Sequence, residues 1–399
     1  MYPIENDHLT NQVARVLRIE SVTLGDSNKP DQAYVARFQG KLHLQDSAAA
    51  YDRLAEALRP LNITPLFREE DGKHIVILVS GVQNPTPSNP WINVVLFGLT
   101  LLSVLSAGAI YGYDGGTSLP QYMLNNLGNA FAFAASLLGI LLAHEFGHYL
   151  VARYHKTAAT LPYFIPFPLS PFGTMGAVIV QKESHKNKRI LLDIGIAGPL
   201  AGLIVAIPVL LLGLYLSEIN TLPQVIAPGE GLSLEGNSIL YLLAKYAVFG
   251  ELLPAPASYD GLSPIFYWVR YFFTGLPDPF GGTDVMLHPV AWAGWAGLLV
   301  TALNLIPAGQ LDGGHIVNSL LGKRSRALLP FVLVSLVFMG LVWNGWWLWA
   351  GLIFFMGRQQ AEPLDQITPL DHRRRALGFL GLVIFMLVFT PVPLRIIFG

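Results

Sequence analysis

The sequence predicts an α-helical polytopic membrane protein preceded by a small α+β soluble domain. Three observations carry this reading. Of 399 residues, 52% are hydrophobic and only 13% charged, about half the charged share of a soluble domain. Mean hydropathy is +0.47. Apolar runs recur along the chain, and most reach the roughly 20 residues that a helix needs to cross a bilayer.

Taken in order, residues 1–82 read as the soluble α+β domain. Residues 33–44 (AYVARFQGKLHL) suit one or two strands, and Asp46 suits the N-cap of a helix with Leu54 and Leu58 on one face. Two further strands flank the Asp71-Gly72 turn. No metal or cofactor motif stands out there. Residues 83–90 form a proline-rich linker. The polar N-terminus, MYPIENDHLTNQ, has no secretory pattern and nothing like an organelle transit peptide. The expected location is therefore a bacterial inner membrane, with the N-terminus cytoplasmic.

Apolar runs then cover 91–112, 130–152, 190–216, 288–308, 327–343, 345–357 and 376–396. The chain divides into a membrane core at 91–216, an outer-face segment at 217–287 with room for a short hairpin of helices, and a second core portion at 288–399. Charge sets the orientation. Residues 153–189 carry Arg153, Lys156, Lys182, Lys186, Lys188 and Arg189 against one acid, Glu183, whereas 217–287 has Lys245 and Arg270 against seven acids. Basic loops at 153–189, 309–326 and 358–375 are expected on the cytoplasmic side. The formal net charge of -1 gives no reason to expect a nucleic-acid partner. With no cysteine, disulfides, thiolate catalysis and thiolate metal sites are excluded.

LLAHEFGHYL, 141–150, places three ionisable side chains in one of the least polar stretches of the chain. Such groups are costly in lipid and mark function. His144 and His148 are four apart, on one helical face and within reach of one tetrahedral ion, with Glu145 beside them. Zinc suits two nitrogen ligands, a third protein ligand and an open position for water. Glu145 is the candidate general base for that water as it attacks a carbonyl. A third ligand is sought in TALNLIPAGQLDGGHIVNSL, 301–320. Asp312 ranks first there and His315 competes; the bland reading of Asp312 is a helix cap.

His144-Glu145-Phe146-Gly147-His148, with Asn304-Leu305-Ile306-Pro307 and Leu311-Asp312-Gly313, resembles the site-2 protease family of intramembrane zinc metalloproteases. The form of the second motif is closest to the branch shared by cyanobacteria and chloroplasts. The resemblance covers roughly 90–320. It implies a zinc metalloendopeptidase acting on membrane protein substrates within the lipid bilayer. Zn²⁺ would sit on His144, His148 and Asp312, and Glu145 would activate the zinc-bound water. It further implies that Asn304 helps to place substrate or stabilise the oxyanion, against a plain helix–helix hydrogen bond. LPYFIPFPLSPFGTMGAVIV, 161–180, is too irregular for a lipid-facing helix. The resemblance implies a re-entrant β-hairpin that adds a strand to an unwound substrate, with Gly173 and Gly176 allowing close backbone approach; a surface loop is the plainer reading.

Small residues at Gly195, Gly198 and Gly202 suit tight helix packing. Asp193 is a candidate hydrogen-bond acceptor for a ligand histidine, a cap, or a partner for Arg189. His288 reads as an interfacial or substrate-entry feature, and Trp343, Trp346, Trp347 and Trp349 as an interfacial belt. The rival readings are a membrane ion or metal transporter and a catalytically silent scaffold. The sequence names no particular substrate and no oligomeric state.

Overall fold

The computed structural model describes residues 6–25, 34–43, 46–113, 115–259, 261–357 and 361–399. Its N-terminal part is a four-stranded antiparallel sheet with strands β1 (Leu17–Leu24), β2 (Ala36–Leu42), β3 (Ile63–Glu70) and β4 (Lys73–Ser80), in the order β1-β2-β4-β3. Helices α1 (Asn6–Ala14) and α2 (Ser47–Leu58) accompany it. Register places Phe38, Val76 and Phe67 side by side across β2, β4 and β3. All three are buried, and Tyr51 of α2 meets the Phe67 ring edge-on. Asp46 caps α2 by accepting from Ala48 N. Asp71 and Gly72, both at positive φ, make the β3–β4 turn. Of the 33–44 stretch, the two end residues lie outside the described residues, and the rest contributes β2. Sequence reading missed α1 and β1. β1 is largely exposed, so it lacks the apolar alternation that marks a half-buried strand.

Among the described residues, three helices are long and apolar enough to cross a bilayer: α3 (Pro90–Ile110), α5 (Leu127–Tyr154) and α6 (Lys188–Tyr215). Side-chain oxygens cap two of them, Asn89 on α3 and Asn187 on α6. The short α4 (Leu119–Asn125) lies between α3 and α5. Strands β5 (Tyr163–Pro166) and β6 (Thr174–Val178) form an antiparallel hairpin between α5 and α6. The hairpin is tied to α3, because Asn93 Nδ2 donates to the carbonyls of Leu161 and Pro162 and Ser103 Oγ donates to that of Gly173.

The later apolar runs fold into shorter helices than expected. Run 288–308 is α9 (Pro289–Asn304), 16 residues, followed by a loop and then α10 (Asp312–Leu321). Gly313 makes this break possible, since a β-carbon there would lie 2.0 Å from the Leu305 carbonyl oxygen. Runs 327–343 and 345–357 become α11 (Leu328–Met339) and α12 (Gly345–Met356), 12 residues each. In run 376–396 the helix, α13 (His372–Val388), stops before Pro391 and Pro393. The chain continues as β10 (Leu394–Phe398), antiparallel to β8 (Gly231–Glu235). The basic flank at 358–375 lies partly outside the described residues.

The 217–287 segment holds β8, β7 (Glu218–Thr221), α7 (Ile239–Phe249), α8 (Pro264–Thr274) and β9 (Thr283–Met286), with β7 and β9 paired. His288 is the α9 N-cap, its Nδ1 accepting from Val290 N. Trp346 is no belt residue. It is 1% exposed and donates through Nε1 to the Pro391 carbonyl, inside an apolar cluster with Ile306 and Ile353. The main apolar core lies among α5, α6 and α9, directly behind the HExxH face.

Candidate metal centre

His144, Glu145 and His148 lie in the second half of α5, all buried. Asp312 opens α10, 164 positions beyond His148 in the chain. The fold brings three of these side chains together. His144 Nε2 and His148 Nε2 are 3.2 Å apart, and the Asp312 carboxylate oxygens lie 3.2 and 3.3 Å from them. A tetrahedral ion with ligands at about 2.0–2.1 Å has ligand–ligand edges of about 3.3 Å. The donor set and its spacing therefore fit zinc. Among the described residues no other group of three His, Asp or Glu side chains is placed to hold a metal.

The backbone fixes the His148 tautomer. Its Nδ1 is 2.7 Å from the Ile194 carbonyl of α6. A carbonyl only accepts, so Nδ1 carries the proton and Nε2 keeps its lone pair for a metal. Asp193 does not play this part, contrary to one of its sequence readings, and it does not pair with Arg189. It receives His155 Nε2 at 2.9 Å and Arg374 Nε and Nη2 at 2.8 and 2.7 Å, tying α5, α6 and α13 together. Arg189 donates instead to the Pro369 carbonyl.

The small-residue stripe of α6 proves to be a cradle for the histidines. A β-carbon on Gly198 would lie 2.0 Å from His148 Nε2, and one on Gly202 would lie 3.2 Å from His144 Nδ1. Gly195 makes room in the same way for His315. His315 is outside the converging triplet, because it sits one turn further along α10.

A chamber of about 600 Å³ opens onto the triplet. Asn304, at the end of α9, lines it, with Nδ2 3.3 Å from His144 Nε2. Residues 177–185 form another wall. Gly173 and Gly176, expected at the substrate, do not line the chamber. Gly173 is packed on the α3 backbone, where a β-carbon would meet Ser103 O at 2.5 Å, and Gly176 has a positive φ with open space beside it. Gly173 closes the hairpin turn, its N–H donating to Ser170 O, and Gly176 lies in β6 at the irregularity between the Phe164–Ala177 and Pro166–Thr174 pairs. The Ile179 backbone amide faces the Glu145 carboxylate. Val180 pairs with Thr160, so on an extended chain the neighbouring Ile179 amide and carbonyl point the other way, into the chamber.

Residues 132–342 match peptidase family M50. Among curated proteins, the chain is 28% identical over 338 residues to probable zinc metalloprotease EGY1, chloroplastic, of Arabidopsis thaliana, covering 79% of this chain and 56% of that protein. It is 27% identical over 373 residues to the protein named probable zinc metalloprotease EGY2, chloroplastic, of Oryza sativa subsp. indica, covering 89% and 61%. For EGY2 of Arabidopsis thaliana the identity is 29%, covering 82% and 54%. The chain thus spans 54% to 61% of the length of these relatives. No solved structure matches it. The expectation of a bacterial inner membrane is corrected, since these relatives are chloroplastic and point to a chloroplast membrane. Transit segments are cleaved, so a sequence without one carries no information on compartment. The resemblance to the site-2 proteases and their chloroplast-type branch is borne out: the chain belongs to peptidase family M50.

Proposed function

We propose that this chain is an intramembrane zinc metalloendopeptidase that hydrolyses peptide bonds of membrane protein substrates. One observation carries the reading, the convergence of His144, His148 and Asp312 at 3.2–3.3 Å, with Glu145 next to His144 in the same wall. Zinc, when bound, supplies Lewis acidity and makes water a usable nucleophile near neutral pH. His144, His148 and Asp312 hold it. Glu145 accepts the proton of the attacking water and returns it to the leaving amine nitrogen. Asn304 Nδ2 donates to the carbonyl oxygen as negative charge develops there. The chamber-facing edge at Ile179, whose amide meets the Glu145 carboxylate, holds the substrate extended through its carbonyl, because a helical substrate hides its amides in its own hydrogen bonds. Gly173 and Gly176 shape the hairpin that presents this edge.

The same reading makes the fold polytopic, with residues 1–82 a soluble domain, 83–90 a linker, 91–216 and 288–399 the membrane core, 217–287 an outer-face segment, and the β5–β6 hairpin re-entrant. A separate apolar cluster among residues 9–78 supports the first division. Exposed Trp91, Leu102, Leu150, Ile204 and Tyr215 on the three long helices support a lipid-facing perimeter.

The test compares wild type with Glu145→Gln in liposomes, measuring zinc per chain and cleavage of a transmembrane reporter. The expected result is one zinc in both and cleavage by wild type alone. Equal cleavage by the two proteins would sink the assigned base, and a wild type without zinc would sink the metal site.

A further inference from the structure

Two imidazoles outside the triplet line the same chamber: His185, in the loop between β6 and α6, and His315, in the first turn of α10. Their ring centres are 6.0 Å apart. His185 is 3% exposed, and its Nε2, like Nδ1 of His315, is buried without a hydrogen-bond partner. Buried polar atoms are nearly always paired, and each exception needs an explanation. A pair of orphaned nitrogens on neighbouring rings in one chamber points to a ligand that both of them meet.

The structure fixes both rings in place. The His185 carbonyl accepts from Leu364 N and the Lys186 carbonyl from Asp365 N, so the loop is strapped to the 361–371 segment. Gly195 seats the β-carbon of His315. Burial pushes His185 down to about 3, so at neutral pH its ring is uncharged, with one N–H donor and one lone pair. That is the chemistry of main-chain amide recognition, not of charge neutralisation. Position agrees, since the chamber-facing edge at Ile179 leads through Gln181 to His185 along one wall.

We infer that His185 and His315 are positioning residues that hydrogen-bond main-chain amide groups of an extended substrate beyond the scissile bond. The inference rests on the peptidase reading and adds a second fixed point on the substrate to the Ile179 edge.

The experiment uses the full chain, zinc-loaded and carrying Glu145→Gln, with a short fluorescein-labelled apolar peptide as probe. His185→Phe and His315→Phe are each expected to weaken peptide binding about threefold to tenfold, the net worth of one neutral hydrogen bond. Zinc content and melting temperature should stay at the parent values, and His185→Gln should recover most of the affinity. His185→Leu and His315→Leu replace the Phe variants where the larger ring does not fit. In the cleaving enzyme the same substitutions should raise KM and spare kcat. Unchanged peptide affinity overturns the inference. Loss of zinc from folded variants also overturns it, by making the pair part of a metal site. A wild type that cleaves nothing while peptide affinity still responds to both histidines would leave this inference standing and remove the peptidase reading.

Discussion

Gly198 and His148 compete for one volume: a β-carbon on Gly198 would fall 2.0 Å from the imidazole Nε2 that faces Asp312. The α6 backbone is the back wall of the candidate metal site. It approaches α5 this closely because Gly147 reciprocates, a β-carbon there lying 2.6 Å from the Ala197 carbonyl oxygen. Gly198→Ala is therefore expected to displace His148 and abolish stoichiometric zinc binding, at a packing cost of about 1–3 kcal/mol. Gly202→Ala, with 3.2 Å to His144 Nδ1, should lower zinc affinity without abolishing it. Metal analysis of purified variants checks both, and full zinc in Gly198→Ala would refute the cradle.

The Asp193 carboxylate joins three helices through His155 and Arg374. Arg374→Met leaves a mostly buried carboxylate with one partner fewer, and the expected loss is about 1–3 kcal/mol. Arg374→Lys should not restore it, because Arg374 donates from Nε and Nη2 together and an ammonium has no such fork. Thermal unfolding in detergent decides between these outcomes. A Lys variant as stable as wild type would show that charge alone matters.

Segment 361–371 is a strap between the N-terminal sheet and the chamber loop. Phe67 N donates to Leu364 O, Gln366 N donates to Phe67 O, and Asp365, fully buried, bridges to both Phe67 and Asn187. The Asp365 carboxylate accepts from the backbone amides of Ile367 and Thr368, and the Thr368 hydroxyl meets Ser47 Oγ at 2.6 Å. Asp365→Ala should cost about 1–3 kcal/mol and open the strap to protease. Ser47→Ala, which removes only the outermost hydroxyl, should cost less. Limited proteolysis followed by mass mapping reads the difference, and a strap in Asp365→Ala as resistant as wild type would deny the role.

Glu235, in the 217–287 segment, lies beside fully buried Lys245 and near Asp284. Burial, then the Asp284 charge, push its carboxyl up from 4.5 to about 7, while Lys245 and the Tyr241 hydroxyl pull the other way. A raised carboxyl binds its proton more tightly folded than unfolded. Its contribution is thus complete below 4.5 and is lost as pH rises towards 7. The melting temperature of wild type minus that of Glu235→Gln should therefore fall between pH 5 and 8. A difference that grows with pH would mean that Lys245 dominates.

Much of the site was legible because its logic is local. Helical periodicity puts His144 and His148 on one face whatever surrounds them, and polar residues in an apolar run announce themselves by their cost. Asp312 could be ranked first among candidates for the same reason. The apolar runs were also legible, but their lengths were not. Hydropathy does not register that Pro391 and Pro393 end α13, or that Gly313 lets the chain double back after α9. Asn93 and Ser103 were overlooked, although a polar residue in an otherwise apolar helix is a readable signal. They hold the hairpin that walls the chamber.

The sequence by itself determined the family, the helix that carries the candidate metal ligands and the chemistry that its residue types allow, since each follows from motif, composition and near-neighbour spacing. Only the tertiary structure decided that Asp312 closes the triplet and His315 stands aside. It also decided that Gly198 is shaped around an imidazole and that Asp193 serves three helices. It further decided that Gly173 packs on the α3 backbone while the Ile179 backbone faces the Glu145 carboxylate. Each of these depends on two segments far apart in the chain meeting within a few ångströms. Such contacts are set by close packing of whole helices, which no local pattern encodes.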